Sequence, residues 1–157
     1  SHGEALRGIF RAVRRIADEF DDVMIVYPVH PNPVVRAAAE ETLSGHERIM
    51  LTEPLDVIAF HNLMAKSFFI MTDSGGIQEE APSLGKPVLV LRDVTERPEG
   101  VEAGTLRIVG PDEEKVYLAC KNLLCNDAEY AEMSSAENPY GDGKASRRIA
   151  DALLSEA

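Results

Sequence analysis

Phe68-Phe69-Ile70-Met71-Thr72-Asp73-Ser74-Gly75-Gly76-Ile77-Gln78-Glu79-Glu80 decides the fold. Phe68 to Thr72 is a short continuous apolar run, which suits a strand buried on both faces. Two glycines follow a serine, and a helix over Ile77 to Leu84 begins at once, closed by Gly85. The same unit repeats on either side. Upstream, Leu6, Ile9, Phe10, Val13, Ile16, Ala17 and Phe20 fall at helical spacing within residues 4–20, with Arg11, Arg14, Arg15 and Asp18 between them. Val23 to Tyr27 reads as a strand, Pro33 opens a helix that stops near Gly45, Arg48 to Thr52 is a second strand, and Asp56 to Ala65 a helix. Downstream, Pro87 to Leu91 and Leu106 to Val109 are strands, and Pro111-Asp112-Glu113-Glu114 begins a helix that runs through Cys125. The tail from Lys144 to Leu154 carries Ile149, Ala150, Leu153 and Leu154 as the apolar stripe of a last helix. Short buried strands alternating with helices predict an α/β fold on a parallel sheet, with residues 1–157 forming one domain.

Composition bounds the function. The chain has 157 residues with 27 Asp+Glu against 16 Lys+Arg, so 27 − 16 leaves a net charge of −11. A surface this acidic repels nucleic acid and anionic lipid at long range, and neither is an expected partner. Apolar runs such as Val88 to Leu91 are far shorter than the roughly 20 residues that span a bilayer. The opening Ser1-His2-Gly3-Glu4 leads directly into an amphipathic pattern with no visible signal peptide. Cys120 and Cys125 share one helix at a spacing that points them apart, which predicts small buried hydrophobes rather than a disulfide. A reducing, cytoplasmic location is the expectation.

In parallel α/β sheets, ligands bind beyond the carboxyl ends of the strands. Three loops there are chemically unusual. At Ser74-Gly75-Gly76 a helix N-terminus presents unpaired N–H groups, the glycines let a phosphate approach the backbone, and the Ser74 hydroxyl is a further donor. Glu79 or Glu80, a turn on, can accept from a ribose diol. A serine cap on a tight Gly-Gly turn accounts for the same letters, and the pattern alone does not choose. The loop from Arg92 to Gly100 opens on the same edge, with Arg97 beside Pro98 suited to a diphosphate or a sugar hydroxyl. A surface arginine paired with Glu96 or Glu99 is the plain alternative. In Tyr27-Pro28-Val29-His30-Pro31-Asn32-Pro33, three prolines fix the path of His30 and Asn32. Phe60-His61 is a fourth candidate wall, where a ring meets a base or simply joins the core. No metal-ligand spacing and no Gly-x-Ser-x-Gly elbow is present, and no cofactor is called for.

Taken together, Tyr27 to Pro33, Glu53-Pro54-Leu55-Asp56, Thr72 to Pro82, Arg92 to Gly100 and Asn138-Pro139-Tyr140-Gly141-Asp142-Gly143 resemble, in order, the C-terminal half of the non-hydrolysing UDP-N-acetylglucosamine 2-epimerases. The resemblance implies a Rossmann-like parallel sheet sandwiched by helices, one half of a two-domain B-type glycosyltransferase-like fold. It implies interconversion of UDP-N-acetylglucosamine and UDP-N-acetylmannosamine by elimination and re-addition of UDP, for surface-polysaccharide precursors. It assigns Ser74, Gly75 and Gly76 to the diphosphate, Glu80 to the ribose, Arg97 to the phosphate region and Phe60 to the uracil. His30 corresponds to a histidine that, in some bacterial members, contacts a second, activating UDP-N-acetylglucosamine, and a homodimer is implied for the full-length enzyme.

The family also carries a His-Arg-Arg-Glu-Asn run just before the glycine corresponding to Gly3, where this chain has Ser1-His2. Its catalytic acids lie in an N-terminal domain outside this sequence, so the expectation is a UDP-binding half that alone binds UDP weakly and does not epimerise. The donor half of a B-type glycosyltransferase is the alternative enzyme, although no Glu-x7-Glu pair spans the Gly-Gly helix. A stand-alone nucleotide-sugar-binding module is the alternative of another class.

Overall fold

A computed structural model describes residues 2–95, 98–135 and 150–155. In chain order the elements are α1 (His2–Glu19), β1 (Val23–Pro28), α2 (Pro33–Leu43), β2 (Ile49–Thr52), α3 (Val57–Lys66), β3 (Phe69–Thr72), α4 (Gly75–Ser83), β4 (Val88–Val90), α5 (Pro98–Ala103), β5 (Leu106–Ile108), α6 (Glu113–Cys125), α7 (Asp127–Ser135) and β6 (Ala150–Ser155). The strands form one six-stranded sheet in the order β2-β1-β6-β3-β4-β5. Every pairing is parallel, so all six strands end on the same edge.

Alternation along β3 and β4 divides the core between the two faces of the sheet. Phe69, Met71 and Leu89 join α1, α2, α6 and α7 in the larger cluster, around Phe10, Val13, Ile25, Leu43 and Leu123. Ile70, Val88 and Val90 point the other way, into a smaller cluster with Met64 of α3 and with Ile77 and Ala81 of α4. This period of two is what a strand buried on both faces requires. The arginines between the apolar positions of α1 clip it to its neighbours. Arg7 pairs with Glu41 of α2 at 3.1 Å, and Arg11 with Glu113 of α6 at 2.9 Å.

The five strands expected upstream of the tail are all present. Three readings are corrected. The tail is not a helix where it is described: Ala150–Ser155 is a strand between β1 and β3, with Ala152 opposite Ile25 and Leu154 opposite Met71. Over six residues an apolar stripe and a buried run cannot be told apart, and the backbone edges of β1 and β3 both find partners in this segment. Cys125 is exposed at the end of α6, whereas Cys120 is fully buried, its Sγ 3.3 Å from Met71 Sδ. Burial pushes the Cys120 thiol up to about 12. Finally, α4 begins at Gly75 rather than Ile77, so both glycines lie inside the helix. No helix among the described residues is long and apolar enough to cross a membrane.

Candidate functional site

Because the sheet is parallel, the loops after β1, β2, β3 and β4 open on one edge. At the end of β3, Thr72 is buried and its Oγ1 accepts the Ser74 N–H at 2.9 Å. This bond sets the chain for the step into α4. Ser74 occupies the N-cap position at φ −89° and ψ 130°, yet its side chain makes no capping bond. Its carbonyl takes the Gln78 N–H at 3.3 Å. The first turn of α4 contains no acidic residue. The first N–H groups of α4 and the positive end of its dipole are therefore left to whatever occupies the edge.

Gly75 and Gly76 do not make a tight turn. Among the described residues the glycines with positive φ are Gly45, Gly85, Gly104 and Gly110, so this pair has the ordinary φ sign of the helix it begins. A Cβ on Gly76 would meet nothing closer than the Ser74 hydroxyl, at 3.9 Å. Neither backbone geometry nor packing within the described chain demands a glycine at Gly76. The other end of α4 does demand one. Gly85, at φ +73°, closes the helix with its N–H on the Pro82 carbonyl at 2.9 Å and the Lys86 N–H on Ala81 at 3.3 Å.

The remaining expected residues surround this start. Glu80 is exposed on α4. Phe60 on α3 is half-buried against the small cluster that also holds Ile77, so its helix and the Gly-Gly helix share packing. His61 is exposed. His30 lies in the loop after β1, with its Nδ1 accepting the Asn32 N–H at 3.1 Å, which leaves Nε2 to carry the proton of the neutral ring. Arg97 and the Asn138 to Gly143 stretch lie outside the described residues.

Two pairs of ties hold neighbouring segments of this edge together. The Val29 N–H reaches the Thr52 carbonyl at 2.9 Å, and Arg36 forks onto Glu53, one arm at 3.1 Å, beside a cleft of about 220 Å³. The Arg36 hydrogen bonds hold the Glu53 carboxyl below the usual carboxylate range. On the other side, Arg92 Nη1 donates to the Asp73 carbonyl at 3.2 Å, and the Thr95 hydroxyl donates to Gln78 Oε1. Sequence reasoning passed over Gln78 and Thr95. The available hint was a glutamine between Ile77 and Ala81, both of which face the core.

A parallel sheet flanked by helices, with an uncapped, glycine-begun helix starting at the carboxyl edge of its strands, defines a Rossmann-like α/β domain. Residues 1–154 match the family model described as UDP-N-acetylglucosamine 2-epimerase, and the chain belongs to that family. It is 64% identical over 152 residues to the UDP-N-acetylglucosamine 2-epimerase of Bacillus subtilis, covering 97% of this chain and 40% of that one. The UDP-GlcNAc 2-epimerase of Neisseria meningitidis bound to UDP-GlcNAc superposes with a TM-score of 0.85 at 45% identity, over 94% of this chain and 40% of that one. The S. aureus MnaA–UDP co-structure gives 0.83 at 60% identity, over 92% of this chain and 40% of its own. The chain thus spans about 40% of the length of the relatives it matches.

Proposed function

We propose that this chain is the UDP-holding domain of an enzyme that interconverts UDP-N-acetylglucosamine and UDP-N-acetylmannosamine. The observation that carries the reading is the start of α4, where a glycine needed by neither φ nor packing among the described residues precedes N–H groups that the Ser74 side chain does not cap. Such a start suits a diphosphate lying against the backbone. Ser74, Gly75 and Gly76 hold it, Arg97 adds a guanidinium, Glu80 takes the ribose hydroxyls and Phe60 lies beside the uracil. His30 meets a second UDP-N-acetylglucosamine.

The chemistry follows from what this edge can stabilise. Elimination breaks the C1–O bond and leaves 2-acetamidoglucal, while negative charge builds on the departing β-phosphate. Helix N–H groups aimed at that charge stabilise it more in the transition state than in the ground state. Re-addition of UDP with the opposite configuration at C2 completes the interconversion. The acids that move the C2 proton belong to a second Rossmann-like domain across the cleft, in a cytoplasmic homodimer supplying surface-polysaccharide precursors. Residues 1–157 form one domain of that enzyme, and this chain alone does not epimerise.

Calorimetric titration with UDP, using ADP as control, tests the reading. UDP-selective binding is expected, weakened about tenfold by each of Ser74→Ala and Glu80→Gln, the loss of roughly one hydrogen bond to a charged or polyol ligand. Equal binding of ADP, or no effect of either substitution, would sink it.

A further inference from the structure

Gln78 is 2% exposed, although it stands in the first turn of a helix that begins at the ligand edge. Its Oε1 accepts the Thr95 hydroxyl, which ties the loop after β4 to α4. Its Nε2 is fully buried and has no hydrogen-bond partner among the described residues. Leaving a buried amide donor unmatched is costly, and native proteins seldom keep one without a use. An apolar side chain of similar size between Ile77 and Ala81 would avoid that cost.

The position of this amide suggests the use. Its own backbone N–H is bonded to Ser74, on the turn that carries the glycines. The loop it holds is fixed near β4 by the Leu91 N–H on the Thr72 carbonyl at 2.9 Å and then by Arg92 on Asp73. Beyond Arg92, the Gln78–Thr95 bond ties the loop again, two residues before Arg97 in the sequence. We propose that Gln78 is a positioning residue: it straps the loop leading to Arg97 onto the Gly-Gly helix, and it keeps one amide N–H for the state in which a nucleoside diphosphate is bound. The second role rests on the UDP-site reading; the strap does not.

Two substitutions separate the roles in the 157-residue chain. Gln78→Leu removes both groups, whereas Gln78→Glu keeps an acceptor for Thr95 but no donor at neutral pH. In ligand-free protein, amide hydrogen exchange over residues 92–95 is expected to quicken about tenfold in Gln78→Leu and equally in Thr95→Val, but to stay near wild type in Gln78→Glu. UDP affinity is expected to fall about tenfold in Gln78→Glu despite its intact loop, since a donor is lost and a like charge gained. On adding UDP to the wild type, the Gln78 side-chain amide resonance should shift. Unchanged loop exchange in both Gln78→Leu and Thr95→Val overturns the strap. Unchanged UDP affinity in Gln78→Glu, or an unmoved amide resonance, overturns the donor role. Failure of the wild type to bind UDP overturns the UDP-site reading and the donor role together, while the exchange data still decide the strap. Thr95→Val keeps the strap testable if Gln78→Leu does not fold.

Discussion

Of the helices that start from the carboxyl edge of the sheet, four have a described capping residue, and one of these is built differently from the other three. Asn32 caps α2 by accepting the Val34 N–H, Asp56 caps α3 through Ala59, and Asp112 caps α6 through Lys115. Proline begins α2, and Glu113 and Glu114 face the dipole in the first turn of α6. Helix α4 has a capping residue that does not cap, two glycines in its first turn and no acid there. A cap is worth about 1 kcal/mol, and helical glycine costs roughly 0.5–1 kcal/mol relative to alanine, so this start forgoes about 2–3 kcal/mol. Three helix starts are capped by a side chain, and the fourth is not.

The sharpest way to break this contrast is Gly76→Ala. Alanine fits the helical conformation and the open space, so the variant should be more stable by roughly 0.5–1 kcal/mol in a urea melt. UDP affinity should nevertheless fall about a hundredfold, as the new methyl holds the diphosphate off two N–H donors. Stability and binding both rising would mean that nothing approaches the backbone there.

The complementary substitution is Asp112→Ala at α6. Loss of its bond to Lys115 should lower stability by about 1 kcal/mol, a few degrees in melting temperature, with UDP affinity unchanged. An equal loss of binding would show that the two helix starts are not separable.

The smallest effect concerns acid. The Arg11 and then the Arg15 hydrogen bonds hold the Glu113 carboxyl below its ordinary 4.5, against the raising effect of burial. A carboxylate depressed in the folded state stabilises fully above its unfolded value and less as pH falls through the folded one. Melting temperature should therefore drop below about pH 4.5, more gently in Glu113→Gln, by an amount limited by the pair's partial exposure. Identical pH profiles would remove Glu113 from the account.

How far the sequence carried these conclusions depended on the range of the interactions. The strands were legible because runs such as Phe69–Thr72 and Val88–Val90 are continuous apolar segments between helices. Parallel order then put their loops on one edge by geometry alone. Helix α5 was missed because it buries no residue and so has no stripe. Helix α7 buries only Met133 and Ser134, too little for a period to show. The placement of Gly75 and Gly76 was misread because glycine pairs usually signal turns, and only the φ values put them in the helix. The Gln78–Thr95 tie joins residues 17 apart through loop packing that no local pattern encodes.

The uncapped start of α4 also has a thermodynamic consequence. A ligand that binds only the folded chain raises its unfolding free energy by RT ln(1 + [L]/Kd), about 1.4 kcal/mol for each tenfold excess over Kd. Melting temperature should therefore depend on nucleotide concentration, and the protection UDP confers should be smaller in Gly76→Ala although that variant starts out the more stable. A thermal-shift series across nucleoside diphosphates would then rank ligands by how well each fills the position that the Ser74 side chain leaves open.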